Sequence, residues 1–245
     1  MGTYDASQVG FFLLDGYSLL PYIEKVTDGG CELQTDTILP LGAATPYEMS
    51  LGRVKGSLGM SGFLDDTALA SHPALSTRRG ASRIAALAPI GNTIGAVFTG
   101  ANVVQTKYDP IADTDRIHRY ECGLACGEFD RGIIIANLAA RTTAGDTKST
   151  YTDETGALSS NGAAAYLEVS ALALGGYTNC IVKVAHSTDH TTWADLITFD
   201  AVTLAQTAQR KLAVGTVNRY MAVTWTWTGA GAGQSITFAV GAARL

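Results

Sequence analysis

The chain has 245 residues, a formal net charge of −5, 47% apolar residues and only 16% charged residues. The negative charge argues against a nucleic-acid reader, because such proteins neutralise phosphates with Lys and Arg. A chain of this length can bury a large core and needs no disulfide or metal to fold. We therefore predict that the four cysteines are reduced and serve packing. Low charge and 27 glycines suit a protein that packs against copies of itself, although an ordinary β-rich domain has similar numbers.

The N-terminal part is predicted to contain a strand, a tight turn and then a long irregular stretch. Phe11–Leu14 is apolar and is followed by Asp15-Gly16, a dipeptide typical of tight turns. Residues 25–51 are rich in Gly, Thr, Asp and Pro and keep no helix or strand period throughout. Loops of this length are uncommon and are usually functional or disordered, and the apolar residues within this one are too many for a disordered linker. We interpret residues 25–51 as an arm or extended hairpin that docks on another surface.

Residues 52–63 are predicted to form a half-buried strand, because apolar and polar residues alternate at period two. Glycines within this strand weaken it unless another backbone packs close by. A strand of this kind indicates assembly rather than catalysis. The two predicted faces carry Val54, Leu58 and Met60, and Lys55, Ser57 and Phe63, respectively.

The rest of the chain predicts one short helix and many strands. Asp65 and Asp66 can cap a helix within residues 67–77, where Pro73 keeps it short. Residues 83–88 fit a helix turn or a strand, and periodicity does not decide between them. Further strands are predicted at residues 94–104, 116–126, 132–138, 165–174, 180–186, 193–199, 209–214, 220–228 and 235–240.

A composition change predicts two domains. Residues 140–161 are almost entirely small or polar, as linkers are. We predict a first domain over residues 1–145, a linker over 146–160 and a C-terminal domain over 161–245. The short, regularly spaced strands of the C-terminal domain favour a β-sandwich.

The strongest candidate for chemistry is the stretch His186, Ser187, Thr188, Asp189 and His190. A Ser-His-Asp triad needs groups that converge from different directions, which one local turn does not supply. A metal site needs a third ligand with fixed geometry. We therefore predict a hairpin turn here.

Tryptophans and carboxylates give two further candidates. Met221, Val223, Trp225 and Trp227 share one face of a predicted strand, which is typical of a sandwich core; a sugar-stacking platform is the alternative. The carboxylates Asp109, Asp113 and Asp115 lack the glycine and closing glutamate of a calcium loop, so we predict a solvated acidic loop. Without a convergent acid, base and nucleophile, we predict a protein that is not an enzyme and has no cofactor or metal.

The order of these segments resembles the tail tube, or major tail, proteins of long-tailed bacteriophages. In that family a strand ending in Ser-Gly-Phe-x-Asp-Asp, here residues 61–66, follows a long loop and precedes a short helix. Segments that also resemble actinobacteriophage tail proteins are residues 88–95, 105–108, 132–141, 165–169, 186–193 and 218–220.

The resemblance implies a mainly β fold: a tail-tube β-sandwich or barrel with one short helix and a long loop, plus a C-terminal immunoglobulin-like or other β-sandwich domain. It implies stacked rings, usually hexamers, that form a conduit for viral DNA within the virion after assembly in the host cytoplasm. The implied partners are further copies of the chain, a tape measure protein and a tail terminator, with DNA passing through without specific binding and no membrane. The implied ring-to-ring contacts come from Asp28, Glu32, Leu33, Asp36, Ile38, Leu39, Tyr47 and Met49, and the implied tube wall from Val54, Lys55, Ser57, Leu58, Met60 and Phe63.

Two alternatives stay open at this point. One is a carbohydrate-binding module that uses Trp193, Trp225 and Trp227 as stacking platforms. The other is a capsid decoration protein, which differs from a tail protein in its place on the particle. Residues 1–145 hold 15 Asp and Glu against 11 Lys and Arg, so we expect any acidic lining of a tube to come from this half.

Overall fold

The computed structural model describes residues 9–38, 47–76, 80–111, 118–150, 152–153 and 158–245, with no description of the side chains of 27–38, 47–54 and 152–153. The fold is mainly β, as predicted, with one six-residue α-helix, α1 (Ser71–Ser76). The strands are β1 (Phe11–Leu14), β2 (Tyr17–Ser18), β3 (Ile23–Ile38), β4 (Tyr47–Phe63), β5 (Ser82–Ala88), β6 (Val97–Ile111), β7 (Arg119–Cys126), β8 (Asp130–Arg141), β9 (Gly145–Asp146), β10 (Thr152–Asp153), β11 (Ala163–Ala173), β12 (Asn179–Ser187), β13 (Ala194–Thr198), β14 (Thr207–Ala213), β15 (Tyr220–Thr228) and β16 (Ser235–Arg244).

The described strands form two antiparallel sheets. The large sheet has eleven strands in the order β14-β11-β16-β8-β6-β5-β1-β2, with β7 beside β6, β4 beside β7 and β3 beside β4. The small sheet has five strands in the order β10-β15-β12-β13, with β9 also pairing with β15. Neither sheet closes into a barrel within the described residues, so of the two predicted forms the chain has the β-sandwich, built from antiparallel sheets.

The long strand β6 joins the two halves of the large sheet. One of its edges pairs with β5, and the other pairs first with β8 and then with β7. Gly100 lies in β6 where the ring of Tyr166 crosses it, and a Cβ there would lie 2.8 Å from ring atoms. The missing side chain lets the halves of the molecule pack closely.

Three strands of the large sheet, β8, β11 and β16, are buried on both faces. One face packs against the small sheet and the other packs against β1 and β5. Strands covered on both sides need continuous rather than alternating apolar residues, and residues 163–169 are all buried. The first core includes Ile135, Leu167, Val182, Met221, Trp225 and Phe238, and the second includes Phe11, Leu13, Phe98, Ile134, Ala164 and Tyr166.

A third core lies among the strands of the first half, and α1 contributes Ala74 and Leu75 to it. The helix begins at Ser71, whose Oγ accepts a hydrogen bond from the Asp65 amide (2.9 Å) and donates one to the Phe63 carbonyl (2.9 Å). Pro73 lies in the first turn, where a helix tolerates proline. This core contains Phe12, Leu14, Leu58, Met60, Leu75, Val103, Tyr120 and Leu124.

A partly buried arginine, Arg141, lies beside the bulge between β8 and β16. Nη1 of Arg141 donates to the carbonyls of Ala139 (2.7 Å) and Phe238 (2.9 Å), and Nη2 donates to that of Asn137 (2.9 Å). Its guanidinium lies 3.9 Å from the ring centre of Phe238 and 4.9 Å from that of Trp225. Burial lowers the pKa of Arg141 to about 10. The hydrogen bonds of Arg141 connect β8 and β16 next to the register shift between Phe238 and Val240.

The described part of residues 25–51 is not an irregular loop, because it belongs to strands β3 and β4. Their pairing has register shifts between Ile23 and Lys25, between Thr27 and Gly29, and between Leu33 and Thr35. The first two shifts each insert one extra residue in β3, and the third leaves one residue of β3 opposite three of β4. Such shifts interrupt the alternation of faces, which is why the sequence shows no strand period. The extended hairpin that we considered for this stretch is therefore the form it takes, and residues 39–46 lie outside the described residues.

The ambiguous stretch 83–88 is a strand, within β5. The predicted linker overlaps β9 at Asp146 and includes β10, and both strands pair with β15. The large sheet continues across it, because β16 pairs with β8. The domain boundary at 146–160 stays a prediction.

Candidate assembly interface

The β3–β4 hairpin extends beyond the rest of the sheet. Strand β4 pairs with β7 only from Gly56 to Phe63, whereas it pairs with β3 as far as Tyr47. We call the part without a third strand, residues 32–38 and 47–55, the arm. At ~3.3 Å per residue the arm is about 25 Å long.

The arm has few partners of its own. Among the described residues β3 pairs with β4 alone, so the other edge of β3 presents unpaired backbone groups. A two-stranded hairpin is marginally stable in water, and a third strand or a packed face is needed to stabilise it. The geometry therefore favours a partner along the arm.

The base of the arm is fixed tightly to the body. Gly62 in β4 faces the backbone of Tyr22, and a Cβ at residue 62 would lie 1.8 Å from the Tyr22 carbonyl oxygen. This is the close backbone approach that the glycines of the strand predicted. Glu24 in β3 pairs with Arg119 in β7 at 3.0 Å, and the Arg119 guanidinium lies 5.7 Å from the ring centre of Phe63.

The predicted faces of residues 52–63 are confirmed where side chains are described. Leu58 and Met60 are buried, whereas Lys55 and Ser57 are exposed and Phe63 is 38% exposed. The side chain of Val54 lies outside the described residues. The role of this strand as a tube wall stays a prediction.

The outer face of β4, β6 and β7 carries ion pairs and a few exposed apolar side chains, namely Phe63, Val104 and Ile111. Lys107 forms ion pairs with Glu121 (2.7 Å) and Asp109 (3.2 Å), and the hydrogen bond to Glu121 raises the pKa of Lys107. These pairs are exposed, so each contributes little to stability. The central residues of this face, Ser57, Gly59, Ser61, Gly123 and Ala125, are all small.

Seven of the eight predicted ring-contact residues lie on the hairpin. Asp36 pairs with Met49 and Ile38 with Tyr47 across the arm. No side chain of this set is described, and Leu39 lies outside the described residues altogether. Their contacts stay predictions. The other three members are Asp28, Glu32 and Leu33, all in β3.

The predicted hairpin turn after β12 is confirmed. The Asp189 carboxylate accepts hydrogen bonds from Ser187 Oγ (3.0 Å) and from the amides of Thr191 (3.0 Å) and Thr192 (2.8 Å). The hydrogen bonds from Thr192 and Thr191 lower the pKa of Asp189 most strongly. His186 accepts a hydrogen bond from the Asn218 amide at 3.1 Å, and burial lowers its pKa. The hydrogen bonds of Asp189 therefore stabilise the turn, and His186 bonds to the neighbouring Asn218 backbone.

The tryptophan row is part of a core, as predicted. Trp225 is 9% exposed and donates to the Thr143 carbonyl at 2.7 Å. Trp227 packs partly against the same core and lies 5.7 Å from Tyr177, measured between ring centres. Trp193 lies in the turn after β12, with its Nε1 donating to the His190 carbonyl (3.2 Å). The burial of Trp225 contradicts a sugar platform that includes this residue.

The described cysteines are reduced, as predicted. Burial raises the pKa of Cys122 to about 12 and that of Cys180 to about 11. Such thiols are weak nucleophiles, because the thiolate is the reactive form. The side chain of Cys31 is outside the described residues, as are Asp113 and Asp115 of the predicted acidic loop.

The sequence did not predict the cluster formed by Asp15 and the buried residues Arg83 and Glu168. The available signal was Glu168 itself, a single carboxyl within the apolar run of β11. In the described parts of the chain, no three or more His, Cys, Asp and Glu side chains are grouped as metal ligands. No helix within those parts has the length and apolar character to cross a membrane.

No family model matches the chain, and no curated protein matches it. Among solved structures, the chain is similar to a protein in the virion of a native gene transfer agent particle, with 12% identity and a TM-score of 0.38 over 53% of this chain and 98% of that one. It is also similar to a chain in the tail of an empty gene transfer agent particle with C6 symmetry, with 12% identity and a TM-score of 0.34 over 44% and 80%. For the Dit protein of phage SPP1, a hub adsorption apparatus component, the values are 10% identity and a TM-score of 0.37 over 96% and 98%. TM-scores this low do not establish a common fold.

Proposed function

We propose that the chain is a structural subunit of a bacteriophage tail that assembles with copies of itself through the arm. The observation that carries this proposal is the arm, which extends beyond β7 as two strands and leaves one edge of β3 unpaired among the described residues. The proposal also depends on the resemblance of residues 61–66 and their surroundings to tail tube proteins. Within that role, the finer assignment is a tail tube subunit.

An unpaired strand edge is a hazard that natural proteins cover, shorten or charge. In the proposed assembly, a neighbouring copy adds a strand to β3 or packs on the arm, which satisfies these backbone groups. Because the arm of one copy contacts a different surface of the next, the contact is heterologous. Such a contact produces a ring when the rotation closes and a filament when it does not.

As a tail tube subunit, the chain would form rings that stack around a central channel for DNA. A ring of six copies would carry a net charge of 6 × −5, or −30. A negative channel repels DNA phosphates, so DNA would pass without adhering. The small residues Ser57, Gly59 and Ser61 at the centre of the outer face would give a tube wall few protruding side chains at that position.

The first experiment shortens the arm without changing its base. Residues 34–53 are replaced by Asn-Gly, which joins Leu33 to Val54, two residues that already pair. Asn-Gly favours the two-residue turn that connects paired strands. We expect the full chain to form rings or tubes of uniform bore in negative-stain microscopy and the shortened variant to stay monomeric in sedimentation velocity.

The shortened variant must be shown to fold. Its urea midpoint, followed by tryptophan fluorescence, is expected to equal that of the full chain, because all three tryptophans lie after residue 190. Rings formed equally by a folded shortened variant would contradict the role of the arm. If the full chain stays strictly monomeric at high concentration, both alone and when mixed with phage tail preparations, self-assembly itself would be contradicted.

A matched pair of proline variants tests strand addition. Cys31 and Glu32 are neighbours in β3, so one amide points to β4 and the other to the unpaired edge. Proline removes the amide hydrogen. We expect one variant to lose stability, and the other to keep its urea midpoint yet lose assembly. Two folded variants that both assemble normally would exclude pairing at this edge.

A further inference from the structure

Glu168 is a carboxyl inside a strand that is otherwise apolar at its buried positions. It lies in β11, in the part of the large sheet that is covered on both faces, and it is 1% exposed. Its Oε2 accepts a hydrogen bond from the Gly16 amide at 2.6 Å. Its Oε1 is buried without a hydrogen-bond partner among the described residues. A carboxyl held in this way is expensive to keep charged.

Two charged residues from other elements face Glu168. Asp15, in the turn between β1 and β2, accepts from Arg83 Nε (2.7 Å) and from the Ile84 amide (3.0 Å). Arg83, in β5, also donates from Nη1 to Gln105 (2.8 Å). The Arg83 side chain is fully buried, and its Nη2 has no acceptor among the described residues.

Glu168 has the surroundings of a protonated carboxyl. Arg83, the cation that faces it, donates from Nε to Asp15 and from Nη1 to Gln105. Glu168 accepts one donor only, and Arg83 Nη2 makes no bond to it. An ionised carboxylate held in this way would have neither its hydration nor an ion-pair partner. The proton therefore belongs on Glu168.

We propose that Glu168 is a buried proton-binding site, occupied at neutral pH, that joins the β1–β2 turn to the central strand β11. Burial raises the pKa of Glu168 well above its usual value of 4.5, the Gly16 amide and Arg83 oppose this, and the Asp15 charge adds to it. The site is independent of the proposed assembly role.

The site lies where the β1–β2 turn packs closely against β11. A Cβ on Gly16 would lie 2.2 Å from the Val169 carbonyl oxygen, and Gln206 donates from Nε2 to the Ser170 carbonyl beside it at 2.7 Å. Because Glu168 is 1% exposed, an ionised Glu168 would lose almost all of its hydration. Ionisation of Glu168 therefore opposes contact between the β1–β2 hairpin and β11. The folded state is favoured when Glu168 holds its proton.

The direction of the pH dependence follows from this. The carboxyl of the unfolded chain ionises near pH 4.5, whereas that of the folded chain keeps its proton to higher pH. The stabilising effect is complete below about pH 4.5 and is lost as pH rises toward the folded pKa, at up to about tenfold in the unfolding constant per pH unit.

The test compares the full chain with Glu168→Gln, which keeps an oxygen acceptor for Gly16 and cannot ionise. Unfolding constants from urea titrations between about pH 5 and pH 9 are expressed as a ratio of wild type to variant, which cancels every other titrating group. We expect the ratio to rise with pH by up to about tenfold per unit and then level off. Glu121→Gln, an exposed carboxyl, is the control and should give a constant ratio.

A ratio that is constant, or one that falls as pH rises, would show that folded Glu168 is ionised and would overturn the proposal. A second measurement uses wild type alone, in case Glu168→Gln does not fold. Unfolding of the wild type by urea at pH 7 in weak buffer should release the proton of this site. A pH indicator should therefore show the release of close to one proton more than the exposed carboxyls release. The protonated carboxyl band in the infrared spectrum should be present before unfolding and absent after it. Absence of that band in the folded protein would overturn the proposal without any variant.

Discussion

Replacing Gly62 by alanine should destabilise the protein through a backbone clash at the base of the arm. The new Cβ would lie 1.8 Å from the Tyr22 carbonyl oxygen, 2.8 Å from the Tyr22 carbonyl carbon and 2.9 Å from the Ile23 Cα. All three are backbone atoms, so no side-chain rotation relieves the contact. Non-bonded carbon atoms prefer separations of about 3.5–4.0 Å, so β3 and β4 must move apart by more than ~1 Å at this point.

The expected cost follows from this displacement. Overpacking of a well-packed site costs about 1–3 kcal/mol, and the lower entropy of the unfolded alanine chain offsets about 0.4–1 kcal/mol of it. We expect a net loss of roughly 2 kcal/mol. With an m-value of about 1–3 kcal/mol/M in urea, the midpoint should fall by roughly 1 M.

The assay is urea unfolding followed by tryptophan fluorescence, with Gly127→Ala as the matched control. A Cβ at Gly127 has nothing within 4 Å, so that variant should be neutral or slightly stabilised. Equal midpoints for Gly62→Ala and Gly127→Ala would refute the reasoning, because the close approach of Tyr22 would then impose no constraint on β4.

Three further predictions concern single side chains. Arg141→Lys should lose about 2–3 kcal/mol of stability in urea titrations, because an ammonium cannot donate in a plane to carbonyls on two strands while stacking on aromatic rings; a loss below about 0.5 kcal/mol would contradict the role given to the guanidinium. Cys122 and Cys180 should resist an aromatic disulfide reagent at about pH 8 in the folded protein and react once unfolded, since burial raises their pKa values to about 12 and about 11; mass spectrometry that finds either thiol rapidly modified in folded protein would count against their burial. The lowered pKa of Asp189 means that its carboxylate stabilises the turn above its unfolded pKa of 3.8 and that this effect is lost as pH falls. The difference in urea midpoint between wild type and Asp189→Ala should therefore shrink between about pH 6 and pH 3, and a difference that grows instead would reverse the assignment.

The sequence predicts the strands of this fold only where apolar and polar residues alternate regularly along them. The regular pairing of residues 56–63 with β7 keeps period two, so the buried and exposed faces of this strand could be assigned in advance. The arm could not be assigned as strands, because three register shifts between β3 and β4 interrupt the alternation. Period two also fails in β11, because both faces are buried there.

Of the candidate sites, the one built from neighbouring residues was predictable from the sequence, and the one built from distant residues was not. The turn around Asp189 was predictable because its hydrogen bonds join residues at most three positions apart. The cluster of Asp15, Arg83 and Glu168 joins residues up to 153 positions apart. No spacing rule relates such residues, and only the packing of β1, β5 and β11 brings them together.

The position of β16 has a consequence for how the chain is made. This strand lies between β11 and β8, yet it is the last of the described strands in chain order. It pairs Ile236 with Arg141 and Ala242 with Ile133, partners synthesised long before it. During translation β8 and β11 are therefore present as two edges with a gap between them, and each edge can pair with the wrong strand, including one from another nascent chain. Folding that depends on such distant pairing is slow, so the rate at which β16 fills the gap sets how long each new chain is exposed to misassembly.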